Sequence, residues 1–275
     1  MTHRLALFAA AILLASAAHA QVQLPGADSG DAPPTPRAAK AKPAADSKPT
    51  EKSEKKDSRS SGAASIIGKT LKLNGVSGAL ILSKGDKDAK DKSLKIEKLT
   101  LSGEVISNPQ QKCEITIAAD GAMAASNEGS PDGLPRYAAE IPACPLSFDV
   151  VTDGVIVPPQ TRACVFQAAD CQASPSGVWG PDAASLTDET KAIAKDRTRA
   201  EASITESLKT LGKRSKGAGA ELDKEQSDFN TARDETCHDY QGESAHGFCN
   251  ARLTDARAAL LRKQAAKAKK EAASQ

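Results

Sequence analysis

The hydrophobic period of the chain changes twice. Residues 21–64 hold almost no aliphatic side chain after Leu24, residues 65–172 alternate apolar and polar positions, and beyond Gly180-Pro181 the apolar positions recur every three or four residues. The middle block reads as strands. Leu71 and Leu73 lead into Asn74-Gly75, with Leu80 and Leu82 beyond. Asn-Gly between apolar runs predicts a hairpin, because both central residues must take positive φ. Leu94 and Ile96 alternate, then Leu99 and Leu101 do so one position out of phase, which predicts a β-bulge at Glu97-Lys98. Asn108-Pro109 turns the chain. Cys113, Ile115 and Ile117 then share one strand face, as do Cys144, Leu146, Phe148 and Val150. Asp153-Gly154 predicts a further hairpin into Val155 and Val157.

In the last block Ile193, Ala200, Ile204, Leu208 and Leu211 mark one helical face, capped from Ser185 or Thr187 and ended at Gly212. A second helix begins at Glu221 and carries Leu222, Phe229, Ala232, Thr236 and Tyr240. A third, from Gly247, carries Cys249, Leu253, Ala256 and Leu260. Cys237 and Cys249 stand where these two meet, and Gly242 and Gly247 bracket the reversal. The expected fold is α+β: a small disulfide-bonded antiparallel β unit, sandwich or barrel-like, over residues 65–180. A helical segment over 181–275 follows, ending in a disulfide-stapled helical hairpin and a basic tail.

Composition adds two segments before these. Residues 1–20 read as an export signal, with Arg4, an apolar run from Leu5, and Ala18-His19-Ala20 as a cleavage triplet before Gln21. Residues 21–64, rich in Ala, Pro, Lys, Asp and Ser, cannot bury enough apolar area to offset chain entropy and read as a disordered spacer. No later stretch reaches membrane-spanning length, so no span is expected after signal cleavage. The expected location is the periplasm or the extracellular space.

All six cysteines lie beyond the signal, which fits a disulfide framework in an oxidising compartment. Strand alternation favours Cys113 with Cys144, and proximity Cys164 with Cys171, although six cysteines allow fifteen connectivities. Cys237 with Cys249 would close a short loop at the helical turn. The competing reading of that turn is zinc held by Cys237, His238, His246 and Cys249. The adjacent Cys-His and the His-x2-Cys depart from finger spacing, and an oxidising compartment favours the disulfide.

Charge narrows the function classes. Without the signal, 36 basic residues face 35 acidic ones. A dedicated nucleic-acid binder draws its affinity from a clustered positive excess, so none is expected. Asp86, Asp88 and Asp91 lack EF-hand spacing and are interleaved with Lys84, Lys87, Lys90 and Lys92, which reads as a solvated loop. The tail cations Arg262, Lys263, Lys267, Lys269 and Lys270 suit a helix C-terminus, or an anionic envelope polymer. Only His238 and His246 lie beyond the signal, and no nucleophile elbow, Cys-x-x-Cys pair or phosphate loop is present. Neither catalysis nor a cofactor is expected. The expected role is binding of an unidentified protein or cell-wall polymer, with helix-mediated envelope structure as the alternative.

The run CHDYQGESAHGFCNARLTDARAALL, with GVWGP at 177–181, resembles a group of uncharacterised secreted proteins of alphaproteobacteria. The Cys-x11-Cys followed by a helix is also similar to the cysteine module of LprI-type lysozyme inhibitors. Ala245 stands where that module carries Glu, and its Leu-Asp-x-x-Leu-x-x-x-Tyr run does not follow Cys249. The second resemblance implies inhibition of a lysozyme; the first implies no activity.

Overall fold

The computed structural model describes residues 62–85, 93–118, 121–131, 133–213 and 219–274. The predicted export signal, the spacer up to residue 61 and the loop holding Asp86, Asp88 and Asp91 lie outside these residues. Residues 62–64, assigned by composition to the spacer, instead open the short helix α1 (Gly62–Ile66), whose Ile66 is wholly buried.

Asn74 (φ 49°) and Gly75 (φ 77°) turn β1 (Thr70–Leu73) into β2 (Ser77–Lys84), as the Asn-Gly pair requires. The long strand β3 (Leu94–Val105) pairs with β2, and the predicted bulge is there: Ile81 faces Lys98 while Leu82 faces Ile96, leaving Glu97 extra. β4 (Lys112–Ile117) and β5 (Met123–Gly129) both pair antiparallel with β3. The meander continues through β6 (Arg136–Ala139), β7 (Leu146–Val151) and β8 (Gly154–Val157). The turn before β8 is Thr152-Asp153, one residue earlier than read, with Asp153 at φ 57°. β9 (Cys164–Phe166) and β10 (Cys171–Ala173) form a hairpin, and β11 (Gly177–Gly180) ends the series.

Eight of these strands close on themselves, in the order β2-β1-β11-β8-β7-β6-β5-β3 and back to β2. The expectation of a small β unit is therefore corrected to a closed antiparallel barrel that dominates the fold. Closure depends on β11, which pairs with β8 on one edge and with β1 on the other. The GVWG run is too short to announce itself as a barrel stave. Closure removes edges from the barrel staves, and it explains how few aromatics suffice: Leu71, Leu80, Leu82 and Ile96 fill a largely aliphatic interior around Phe148 and Trp179.

β3 outruns the barrel. Gly103 is flanked by Cys113 of β4 on one side and Ala173 of β10 on the other. A side chain at Gly103 would meet the Gln172 carbonyl oxygen at 2.0 Å, so only glycine lets β10 lie this close. Here Cys113 bonds to Cys171, and Cys144 bonds to Cys164. Both pairings differ from those read from the sequence. Cys144 belongs to the barrel core, whereas Cys113 lies on β4 outside the closed circuit. Alternation placed each on an apolar face but could not say which strand lies next to it: β4 and β10 both flank the end of β3.

Helices α2 (Thr190–Gly212), α3 (Gly219–Cys237), the single turn α4 (Glu243–His246) and α5 (Phe248–Ala273) follow. The cap comes neither from Ser185 nor from Thr187. Asp182 caps the 3-10 turn that precedes α2 by accepting from the Ala184 N–H. α2 and α5 lie side by side and parallel, because Asp196 reaches Arg252 and, further along both helices, Ser203 reaches Arg262. Ala200, Ile204, Ala258 and Leu261 form their seam. α3 returns antiparallel to α5 and buries only Cys237. Among the described residues no helix is long and apolar enough to cross a membrane.

Candidate functional site

Three of the residues singled out by sequence, Cys237, His246 and Cys249, meet at the joint between barrel and helices, while Cys113, Cys144, Cys164 and Cys171 lie in and beside the barrel. Cys237 closes α3, Cys249 opens α5, and they are bonded to each other as expected. Both are buried with Tyr240 and Phe248 against Val178, on the face of β11 opposite Trp179. A side chain at Gly180 would strike the Tyr240 hydroxyl at 2.6 Å and the Phe248 ring at 2.7 Å, so the glycine lets both rings rest on the barrel. The Tyr240 hydroxyl donates to the Pro181 carbonyl at 2.6 Å. Burial, reinforced by Glu243 and Asp182, raises its pKa above the ordinary 10.

Asn74 fastens the other side of the joint. Its N–H donates to the Val178 carbonyl, its Oδ1 accepts the Val178 N–H, and its carbonyl accepts the Gln241 N–H. The tip of the first hairpin therefore holds both β11 and the stapled turn.

The start of α5 has the usual orphan N–H groups of a helix N-terminus, and here they are met by side chains from α4. Glu243 accepts from Cys249 N–H at 3.0 Å and from Asn250 N–H at 2.8 Å, and also from the Asn250 side-chain amide. His246 Nδ1 accepts the Phe248 N–H at 3.1 Å. Its other nitrogen therefore carries the proton and donates to the Gln241 carbonyl at 2.9 Å. The imidazole is neutral with both nitrogens engaged, and it lies edge-on to Tyr240.

The zinc reading of this turn is not assembled. The two sulfurs are bonded to each other, both nitrogens of His246 are spent on backbone groups, and His238 is at the surface beside Asp239. Among the described residues no group of three or more His, Cys, Asp or Glu is placed to hold a metal ion.

Two features escaped the sequence reading. Arg252, 9% exposed, stacks over Phe248 and pairs with Asp153 at 3.1 Å and Asp196 at 3.4 Å. One guanidinium thus ties the β7–β8 hairpin, α2 and α5 together. Nothing in a lone arginine on a helix announces this, because both partners are distant in sequence. The second is a groove of about 380 Å³ between α2 and α5, lined by Ser203, Glu206, Ser207, Thr210, Arg262, Ala265, Ala266 and Lys269. Of the basic tail, Arg262 and Lys269 border it, while Lys263, Lys267 and Lys270 stand exposed along α5. The arrangement defines a class of protein, a filled β-barrel carrying a disulfide-stapled helical layer with its conspicuous polar groups committed to the joint. No family model, curated protein or solved structure matches the chain.

Proposed function

We propose that this is an exported, non-catalytic binding protein of the periplasm or extracellular space, presenting the outer surface of its helical layer to a protein or a cell-wall polymer. The observation that carries the reading is the occupation of His246. The histidine best placed for proton transfer spends one nitrogen on the Phe248 N–H and the other on the Gln241 carbonyl, so it has no free lone pair for a substrate. Glu243 is similarly consumed by α5. The three disulfides are compatible with export to a compartment where thiols oxidise, in keeping with the signal pattern of residues 1–20.

The test has two parts. Intact mass of protein recovered from outside the cytoplasm should give a chain beginning at Gln21, six protons lighter than its reduced form. The same material should sediment with purified insoluble murein sacculi or inhibit a lysozyme. A chain retaining Met1 and free thiols would overturn export; neither sedimentation nor inhibition would overturn binding to the wall or its lysozymes.

A further inference from the structure

We propose that the groove between α2 and α5 binds an acidic polysaccharide, deepening the binding reading on which it rests by naming the ligand class. Three observations meet there. Ser207 is 6% exposed and borders the groove, so its side chain is set into the groove wall. Ser203, whose hydroxyl accepts from Arg262 at 3.0 Å, and Thr210, whose hydroxyl donates to the Glu206 carbonyl at 3.0 Å, line the groove beside it, and Ala265 and Ala266 add only methyl groups to the lining.

The second observation is the charge around the groove. Arg262 and Lys269 border it, Lys263, Lys267 and Lys270 continue along α5, and Lys209 and Lys213 stand exposed on the last turn and C-cap of α2. The acids on the elements packed there are Glu206 in the groove, Glu271, which is 3.9 Å from Lys267, and Glu221, Asp223 and Glu225 at the start of α3, the last of them 3.6 Å from Arg257. Because α2 and α5 are parallel, their basic ends coincide, and the positive field is more than two separate helix caps would make.

The third is Glu206 itself. A surface built for phosphate alone has no use for a carboxylate in its groove. A sugar unit presents hydroxyl donors to Glu206, acceptors to Ser207 and an anionic group to Arg262 and Lys269. Single-stranded nucleic acid is held on aromatic platforms, whereas no aromatic residue lines this groove or follows Phe248 on α5. Its last turns also lack the bulky apolar residues that anchor an interfacial helix in lipid.

Polygalacturonate serves as the acidic probe, dextran as the neutral polysaccharide, 7:3 phosphatidylcholine:phosphatidylglycerol vesicles as the lipid surface, and oligo-dT as the nucleic acid. The full chain should bind polygalacturonate more tightly than the other three, with affinity falling as salt rises. The exposed pair Arg262→Glu with Lys269→Glu should weaken binding by about tenfold or more. Ser207→Val should lower affinity severalfold with an unchanged salt slope, and circular dichroism confirms that both variants fold. The proposal is overturned if dextran, vesicles or oligo-dT bind as well as polygalacturonate, or if the charge-reversed pair binds like the parent. If polygalacturonate fails while sacculi still retain the protein, this inference falls and the binding reading stands; if neither binds and no lysozyme is inhibited, both fall.

Discussion

Replacing Glu243 by Ala separates a structural carboxylate from a functional one. The Glu243 side chain is 11% exposed, and it accepts from two consecutive backbone N–H groups at the start of α5. Alanine would leave the Cys249 and Asn250 N–H groups without acceptors. Loss of an N-terminal cap costs about 0.5–2 kcal/mol, and a carboxylate at the positive end of a 26-residue helix adds about 0.3–1 kcal/mol. The expected loss is about 2 kcal/mol, read as a lower urea midpoint at unchanged m-value in the oxidised protein. Glu243→Gln keeps a carbonyl acceptor and should lose about half as much. Binding of sacculi by the folded variant should be unchanged. An unaltered midpoint in Glu243→Ala, or lost binding with full stability, would refute the capping role and return Glu243 to the list of working groups.

The Tyr240 hydroxyl has a raised pKa in the folded chain, so folding protects its proton. Its contribution is complete below the unfolded value of 10 and is lost as pH rises above it. Stability of the parent should fall above pH 10 by up to about 1.4 kcal/mol per pH unit more steeply than that of Tyr240→Phe, which loses about 1 kcal/mol at neutral pH. Double alanine replacement of Cys113 and Cys171, which close 58 residues, should cost about 4 kcal/mol by loop entropy, against about 3 for Cys237 and Cys249, which close 12; urea unfolding giving the reverse order would refute the entropic account. Arg252→Ala should cost about 2–3 kcal/mol, tempered because Asp153 keeps Lys69 and Asp196 keeps Arg199, whereas Arg252→Met, which still covers Phe248, should cost less in the same assay.

Local features were legible because each is written in adjacent residues. Asn74-Gly75 could hardly be anything but a turn, and the phase slip between Ile96 and Leu99 marked the bulge at Glu97. The existence of the helices was legible from apolar spacing and the staple from its glycines, but Tyr240, read as part of the second helix, lies past the end of α3, and α5 buries Ala251, Ala258 and Leu261 more fully than Leu253, Ala256 and Leu260. What periodicity could not give is which helix holds which. The hairpin of α3 and α5 is covalent, yet α5 makes its broad contact with α2, whose Ile193, Ala200 and Ile204 were marked as one apolar face without any sign of their partner.

Closure and cysteine pairing were hidden for one common reason: both are properties of strand order, and alternation specifies a face without specifying a neighbour. β3 shows how the two are linked. Its first half is a barrel stave between β2 and β5, and its second half leaves the barrel to run between β10 and β4. Leu94, Ile96, Leu99 and Leu101 read as one long apolar strand, with no mark where the circuit ends. Gly103 is the residue at which that change could have been suspected, since a glycine within a strand signals the close approach of another backbone. Had β10 been placed on Gly103, Cys171 would have fallen opposite Val105, two residues along β3 from the Gly103 that faces Cys113; that brings the two cysteines into one neighbourhood, but their 5.9 Å Cα–Cα separation also needs β10 and β4 to approach each other, which register does not specify.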